Sequence, residues 1–145
     1  NNYTLGFLLN DVGMSKVPSF ILSKTTQLLP DDRDKIHKHV LTGAQVAHKL
    51  ELMQQDIKAA CLEHHERLDG SGYPQKIKGD RMTRMGQICS VADSFAAMIQ
   101  KRSSAAAKGP LQAAKELMED AQHYEKHYSA ALYTALVTGE FGKGV

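Results

Sequence analysis

The chain is poor in the features that would set it apart from ordinary water-exposed globular domains. Only two cysteines occur, Cys61 and Cys89. They lack CxxC spacing and lie in apolar surroundings, which argues against a disulfide framework and reads as two buried thiols in a reducing cytoplasm. No apolar run approaches the ~20 residues needed to cross a bilayer, so no membrane segment is expected. The N-terminus lacks a basic region followed by an apolar block and a small-residue cleavage site, so it is no secretory signal. Charge of one sign is also scarce: 18 basic against 16 acidic residues leave a net +2. That balance offers no basic stripe for duplex nucleic acid and is compatible with a small phosphate-bearing ligand. No segment sustains two-residue apolar alternation, so no sheet is expected. Repeats and low-complexity tracts are missing.

What is present points to one helical domain. At 145 residues the chain is a single unit, residues 1–145, and a domain of that size buries roughly 68–70% of its unfolded surface. Its opening residues read as the middle of a helix, so the chain is expected to be a piece of a longer one with helices upstream. A short apolar helix is expected over 3–10, stopped near Gly13. Val17-Pro18 opens an extended connection. Pro30-Asp31-Asp32 then starts a helix, with proline in its first turn and acids at the positive end of its dipole. Ile36, Val40, Ala44, Ala47 and Leu50 continue it at helical spacing, as one element with one buried face. A second long helix is expected over 54–66, with Ile57, Ala60 and Cys61 inward, and a glycine-rich loop over 67–81. Met85, Ile88, Ala92, Phe95 and Ile99 mark a third long helix. Lys108-Gly109-Pro110 breaks the chain before a fourth at Leu111, Ala114 and Leu117 and a fifth at Leu132, Leu136 and Val137. The fold class is an all-α bundle with a metal or ligand site between facing helices, a usual place for one.

The run from His64 to Pro74, with His65, Glu66, Gly70, Gly72 and Tyr73 inside it, is the most informative stretch. Two neighbouring imidazoles where a helix gives way to a loop are placed to meet one cation. Divalent metals prefer imidazole and carboxylate gathered from several elements. Asp11, His39, His64, His65 and Asp93 lie at the ends or inner faces of separate expected elements. An acid at a helix C-terminus is unfavourable without a compensating cation, which singles out Asp11. An acid among Val91, Ala92 and Phe95 is costly to bury unpaired, which singles out Asp93. Other polar groups read as structural or solvated. His123 and His127 form an exposed face without a third partner, and His48 is surface. Glu66 and Arg67 are either a surface ion pair or part of the signature, and Tyr73 either lines a ligand pocket or packs the loop.

The same run resembles the signature of the HD-GYP family, bacterial metal-dependent phosphohydrolases that open cyclic di-GMP. The resemblance extends from about residue 5 to residue 102. A His-Asp-x-Gly-Lys turn followed by an apolar-Pro segment corresponds to Asn10-Asp11-Val12-Gly13-Met14 and Val17-Pro18. A Lys-His pair followed by a glycine corresponds to Lys38-His39 and Gly43. The double histidine and Gly-Tyr-Pro match at His64, His65, Gly72, Tyr73 and Pro74. A late aspartate matches Asp93, and an arginine after it matches Arg102.

The resemblance implies a first divalent transition metal, iron, manganese or similar, held by Asp11, His39, His64 and His65. It implies a second held in part by Asp11 and Asp93, which makes those two aspartates the catalytic carboxylates. The second site lacks its motif histidine, replaced by Asn10, and an acid that would precede residue 1; only the first is expected intact. The lysine expected to meet the substrate phosphate is Met14, with Lys16 a substitute two positions on. A second acid after Asp93 is Ala96, and the Arg-Pro-Tyr segment keeps only Arg102. Tyr73, Arg102 and Lys16 are therefore the substrate-side candidates. The implied reaction is metal-assisted hydrolysis of a cyclic dinucleotide or other phosphodiester, weakened because cations aimed at a phosphoryl group are missing. The alternative is a catalytically inactive module that binds a nucleotide or a protein, diguanylate-cyclase domains being the implied protein partners of the Gly-Tyr-Pro loop.

Overall fold

The computed structural model describes residues 2–52, 54–100 and 106–139. Among these, every regular element is helical. Helix α1 spans Asn2–Leu9, and a 3₁₀ turn over Val12–Lys16 follows it. After the extended pair Val17 and Pro18 comes a one-turn helix, α2, Ser19–Leu22. Then come α3 (Pro30–His37), α4 (His39–Lys49), α5 (Gln55–Glu63), α6 (Arg84–Ile99), α7 (Pro110–Glu119) and α8 (Lys126–Thr138).

The helix expected from Pro30 through Leu50 is two helices. Asp32 secures its start, accepting the Leu29 N–H at 3.0 Å while pairing with Lys24. The chain then breaks at Lys38, and α4 restarts with His39 at its first position. Periodicity alone hides this joint, because Lys38 keeps right-handed helical angles. Gly13 also differs from its expected part. It sits inside the 3₁₀ turn at ordinary φ, and a Cβ there would fall 1.9 Å from the His39 carbonyl oxygen. Close approach of the turn to α4, not a helix stop, requires the glycine. That contact fixes Asp11 against His39.

Helices α1, α4 and α6 pack on α5, which runs through the middle. Ile57, Ala60 and Cys61 of α5 are fully buried, as are Val40 of α4 and Cys89 of α6. Thr83 caps α6, its hydroxyl accepting the Gly86 N–H at 3.0 Å. The hydroxyl and N–H of Thr83 both donate to the Glu63 carboxylate at 2.8 Å, which ties the start of α6 to the end of α5. Helices α7 and α8 form a hairpin against α6. Ala114 and Leu117 are buried there, whereas Leu111 and Val137 are 51% and 58% exposed. Both cysteines are buried free thiols. None of the described helices is long and apolar enough to cross a membrane.

Candidate metal centre

Helix α5 ends at Glu63, and the turn after it carries His64 and His65 inward. His64 is wholly buried and His39 nearly so. One ligand atom from each of Asp11, His39, His64 and His65 lies within 4.8 Å of the other three. Two turns and the start of α4 therefore bring together four of the five residues that the sequence singled out.

Hydrogen bonding fixes what these groups present. His39 Nδ1 lies 2.6 Å from the Ile36 carbonyl and His64 Nδ1 lies 2.8 Å from the Ala60 carbonyl. A carbonyl only accepts, so each Nδ1 carries a proton and each Nε2 is turned inward, where it offers a lone pair to a metal or shares a proton with Asp11. Those two Nε2 atoms are 3.2 Å apart. Both also face Asp11 Oδ1, at 3.2 and 3.5 Å. Three acceptors converging on one spot repel unless a cation stands between them. A proton or a divalent ion supplies it, and three imidazoles with one carboxylate are a donor set suited to zinc, iron or manganese. The carbonyls that hold Nδ1 are the supports a metal-binding imidazole normally has.

The electrostatics agree. Hydrogen bonds from His39 and then His64 hold the Asp11 carboxyl far below the usual carboxylate range, against a smaller opposing cost of burial. Burial alone would lower His39, but the Asp11 hydrogen bond and the Ile36 carbonyl carry it upward. His65 is pushed down to about 2, by burial first and then by His64 and His39, so its ring is neutral and available to a metal. The Asp11 side chain is 52% exposed, so the cluster opens to solvent on that side.

Asp93 stands one step out. Its Oδ2 is 3.9 Å from His65 Nδ1, and it is not one of the four mutually close donors. In this arrangement it bears on His65, leaving Asp11 as the only carboxylate among the four. Arg102 lies outside the described residues. Lys16 is exposed and lines a cavity of ≈ 330 Å³ shared with His39. A larger cavity of ≈ 480 Å³ between α4 and α5, lined by Leu41, Ala44 and Leu62, includes none of the four ligands.

The Tyr73 ring packs against one member of the cluster. Its ring stacks on His65 at 4.8 Å and 21°, and its other face is covered by His37 at 3.8 Å and 16°. The Tyr73–Pro74 peptide is cis. Tyr73 N–H donates to the His65 carbonyl at 3.2 Å. Gly72 permits this approach, since a Cβ there would fall 2.4 Å from the same oxygen.

Two polar residues of the run do something the sequence did not settle. Glu66 and Arg67 are not a surface ion pair. Glu66 is fully buried, and its Oε1 accepts the N–H groups of Gln75 at 2.7 Å and Lys76 at 3.1 Å. Its Oε2 is buried without a hydrogen-bond partner. The Arg67 guanidinium donates to the Glu66 carbonyl at 2.8 Å and to Ser90 Oγ at 2.9 Å, pinning the run onto α6. It also lies 5.0 Å above the Tyr124 ring. Asp69 shapes the turn, accepting the Ser71 N–H at 2.9 Å, and Gly70 adopts φ 81°.

His123, read as part of a solvated helical face, is neither on a helix nor without partners. It lies in the turn before α8, with Nδ1 2.9 Å from Asp120 and Nε2 3.4 Å from Asp69. The α7–α8 hairpin thus docks on the signature loop. His127 is exposed at the start of α8, as expected. A fold signal for His37, Glu66 and His123 was absent from the sequence, because their partners are distant in the chain.

This bundle, with imidazoles and a carboxylate gathered from its helix ends, defines a class, and comparison with known proteins agrees. The sequence model of the HD domain family matches residues 2–128. The chain belongs to that family. Over 119 residues it is 34% identical to 3'3'-cGAMP-specific phosphodiesterase 2 of Vibrio cholerae, covering 81% of this chain and 23% of that protein. Over 96 residues it is 36% identical to a cyclic di-GMP phosphodiesterase of Thermotoga maritima, covering 65% of this chain and 26% of that protein. The chain thus spans about a quarter of the length of these curated relatives. Among solved structures it resembles Bd1817, described as a HDG"Y"P protein from Bdellovibrio bacteriovorus, with TM-score 0.74 and 24% identity over 94% of this chain and 43% of that one. That likeness speaks for the fold.

Proposed function

We propose that this domain hydrolyses a cyclic dinucleotide, cyclic di-GMP or 3'3'-cGAMP, at a divalent metal held by Asp11, His39, His64 and His65. The single observation that carries the reading is the convergence of those four donors within 4.8 Å. A bound iron or manganese ion would supply Lewis-acid polarisation of the phosphodiester and a water acidified toward neutral pH. This chain's own residues do the rest. His39 and His64 keep their protons at Nδ1 and present Nε2, and Asp11 adds a charge at the open side. His65 is oriented between the Tyr73 face and the Asp93 carboxylate. In the reaction a water oxygen bonds to phosphorus, the bond from phosphorus to one ribose oxygen breaks, and that oxygen takes the proton. The product is a linear dinucleotide.

Activity is expected to be weak. Asn10 stands where the HD-GYP pattern has its second-metal histidine, and Met14 where it has a lysine. A single-metal centre cannot clamp attacking and leaving oxygens together. The test is hydrolysis of cyclic di-GMP and 3'3'-cGAMP with Mn²⁺ or Fe²⁺, in the wild type and in Asn10→His with Met14→Lys. Slow turnover that the double change accelerates supports the reading. Tight cyclic dinucleotide binding with no turnover in the wild type would make this a binding module, the second reading that Asn10 and Met14 favour.

A further inference from the structure

The cavity of ≈ 330 Å³ beside the metal centre has a composition that the four-ligand cluster does not explain. His39, alone of the four ligands, lines it together with Gly13, Val17 and Pro18, and Lys16, Lys35, Lys38 and Thr42 complete the wall. The three lysines come from three places: Lys16 from the 3₁₀ turn, Lys35 from the last turn of α3, and Lys38 from the joint between α3 and α4. No carboxylate lines the cavity. None of the three ammonium groups forms an ion pair within 4.0 Å among the described residues, while Asp32, whose charge is felt by Lys35, is engaged by Lys24 and the Leu29 N–H. Thr42 donates its hydroxyl proton to the Lys38 carbonyl at 3.1 Å.

Three like charges around one concavity, without an anion, raise its positive potential and draw in counter-charge. Small-molecule sites usually fall between about 300 and 1,000 Å³, so this cavity takes a phosphate with part of a sugar, not a whole dinucleotide. A cyclic dinucleotide carries two phosphodiesters. When one is at the cluster, the other needs cations of its own nearby.

We infer that the Lys16–Lys35–Lys38 cavity is a phosphate subsite that holds the second, non-reacting phosphodiester of the dinucleotide; this rests on the function proposed above. Lys35 and Lys38 are positioning residues for the substrate and touch no reacting atom. The subsite offsets part of the missing cation at Met14 by anchoring the ligand from its far side.

The experiment is calorimetric titration of the whole chain, loaded with Mn²⁺, with cyclic di-GMP and separately with inorganic phosphate. The variants are Lys35→Ala/Lys38→Ala, Lys35→Arg/Lys38→Arg, and Lys49→Ala/Lys58→Ala as a control of equal charge change on another face; bound manganese is counted in each. The alanine pair should weaken cyclic di-GMP binding roughly tenfold, the size expected for losing charge-assisted contacts at exposed groups, with manganese unchanged. The arginine pair should restore it and the control should bind as the wild type does. Equal weakening by the control would reduce the effect to overall charge and overturn the inference, as would an alanine pair that binds normally. Phosphate binding that needs the lysines, with no cyclic di-GMP bound, would overturn the dinucleotide assignment. Loss of manganese in the wild type would instead sink the proposed metal chemistry, whatever the lysines do.

Discussion

His39 and His64 turn their Nε2 atoms toward each other at 3.2 Å, while each ring hands its Nδ1 proton to a backbone carbonyl. Two lone pairs so placed are in tension until a cation joins them. A metal that binds the folded chain and not the unfolded one stabilises it by about 2.7 kcal/mol at a hundredfold excess over Kd. For a domain of this size that is roughly 5–10 °C in Tm. Adding Mn²⁺ to chelator-treated protein should raise Tm by that amount, and His64→Ala should abolish the rise; calorimetry reads both.

Close approach at two glycines sets the cluster's geometry. Gly13→Ala would drive a methyl into the His39 carbonyl at 1.9 Å, and Gly72→Ala would drive one into the His65 carbonyl at 2.4 Å. Each obstacle is backbone and cannot swing aside. Each change should cost about 1–3 kcal/mol in urea unfolding, as overpacking does, and should weaken metal binding. A Gly109→Ala control, with nothing within 4 Å of the added carbon, should leave metal binding unchanged.

Glu66 holds the Tyr73 loop through two backbone N–H groups. Glu66→Ala removes the one acceptor that both amides share, and with exposed Gln75 and Lys76 free to turn to water the loss is about 1.5–3 kcal/mol, the usual worth of hydrogen bonds to a charged group. Glu66→Gln keeps an acceptor oxygen and should be milder. Chemical shifts of the Tyr73 and His65 rings should move in the alanine variant and stay near wild type in the glutamine one.

Burial pushes the Cys61 thiol up to about 11 and the Cys89 thiol up to about 12. Thiolate is the reactive form, so native protein at about pH 8 should resist alkylation at both positions. Both should react once denaturant is added, as mass spectrometry would count.

Much of this was legible in advance, for physical reasons. The ligands are residue types with few other uses in such a pattern, and helical spacing places Ile57, Ala60 and Cys61 inward whatever the tertiary contacts. The joint at Lys38 escaped notice because its backbone angles are helical. Glu66 was ambiguous because a carboxylate is buried only when distant amides come to meet it, and no local signal announces Gln75 and Lys76. The stack of His37 on Tyr73 and the seat of His123 between Asp69 and Asp120 likewise need the folded chain. Asp93 was expected at a second, neighbouring metal position, and its Oδ2 lies 3.9 Å from His65 Nδ1, just outside the four-donor cluster, a separation that spacing does not carry.

Acid should test the two imidazole environments in opposite directions. His65 titrates near 6.5 when unfolded and at about 2 when folded. Below about pH 6.5 the unfolded chain therefore binds a proton that the folded chain refuses, and stability falls with pH. His39, raised when folded, contributes the other way: its stabilisation is present at low pH and lost as pH rises through its folded value. In metal-free protein, wild type should lose more stability than His65→Gln between about pH 7 and about pH 4, since His39 is common to both. Parallel losses would contradict the burial assigned to His65.

The most direct measurement is the metal content of purified protein after dialysis with Mn²⁺ or Fe²⁺, counted per chain for wild type, Asp11→Ala and His64→Ala. One ion per chain in the wild type, lost in both variants while circular dichroism stays helical, is the expected result. A wild type that retains no ion, or variants that hold it as well as the wild type does, would contradict a metal centre at Asp11, His39, His64 and His65.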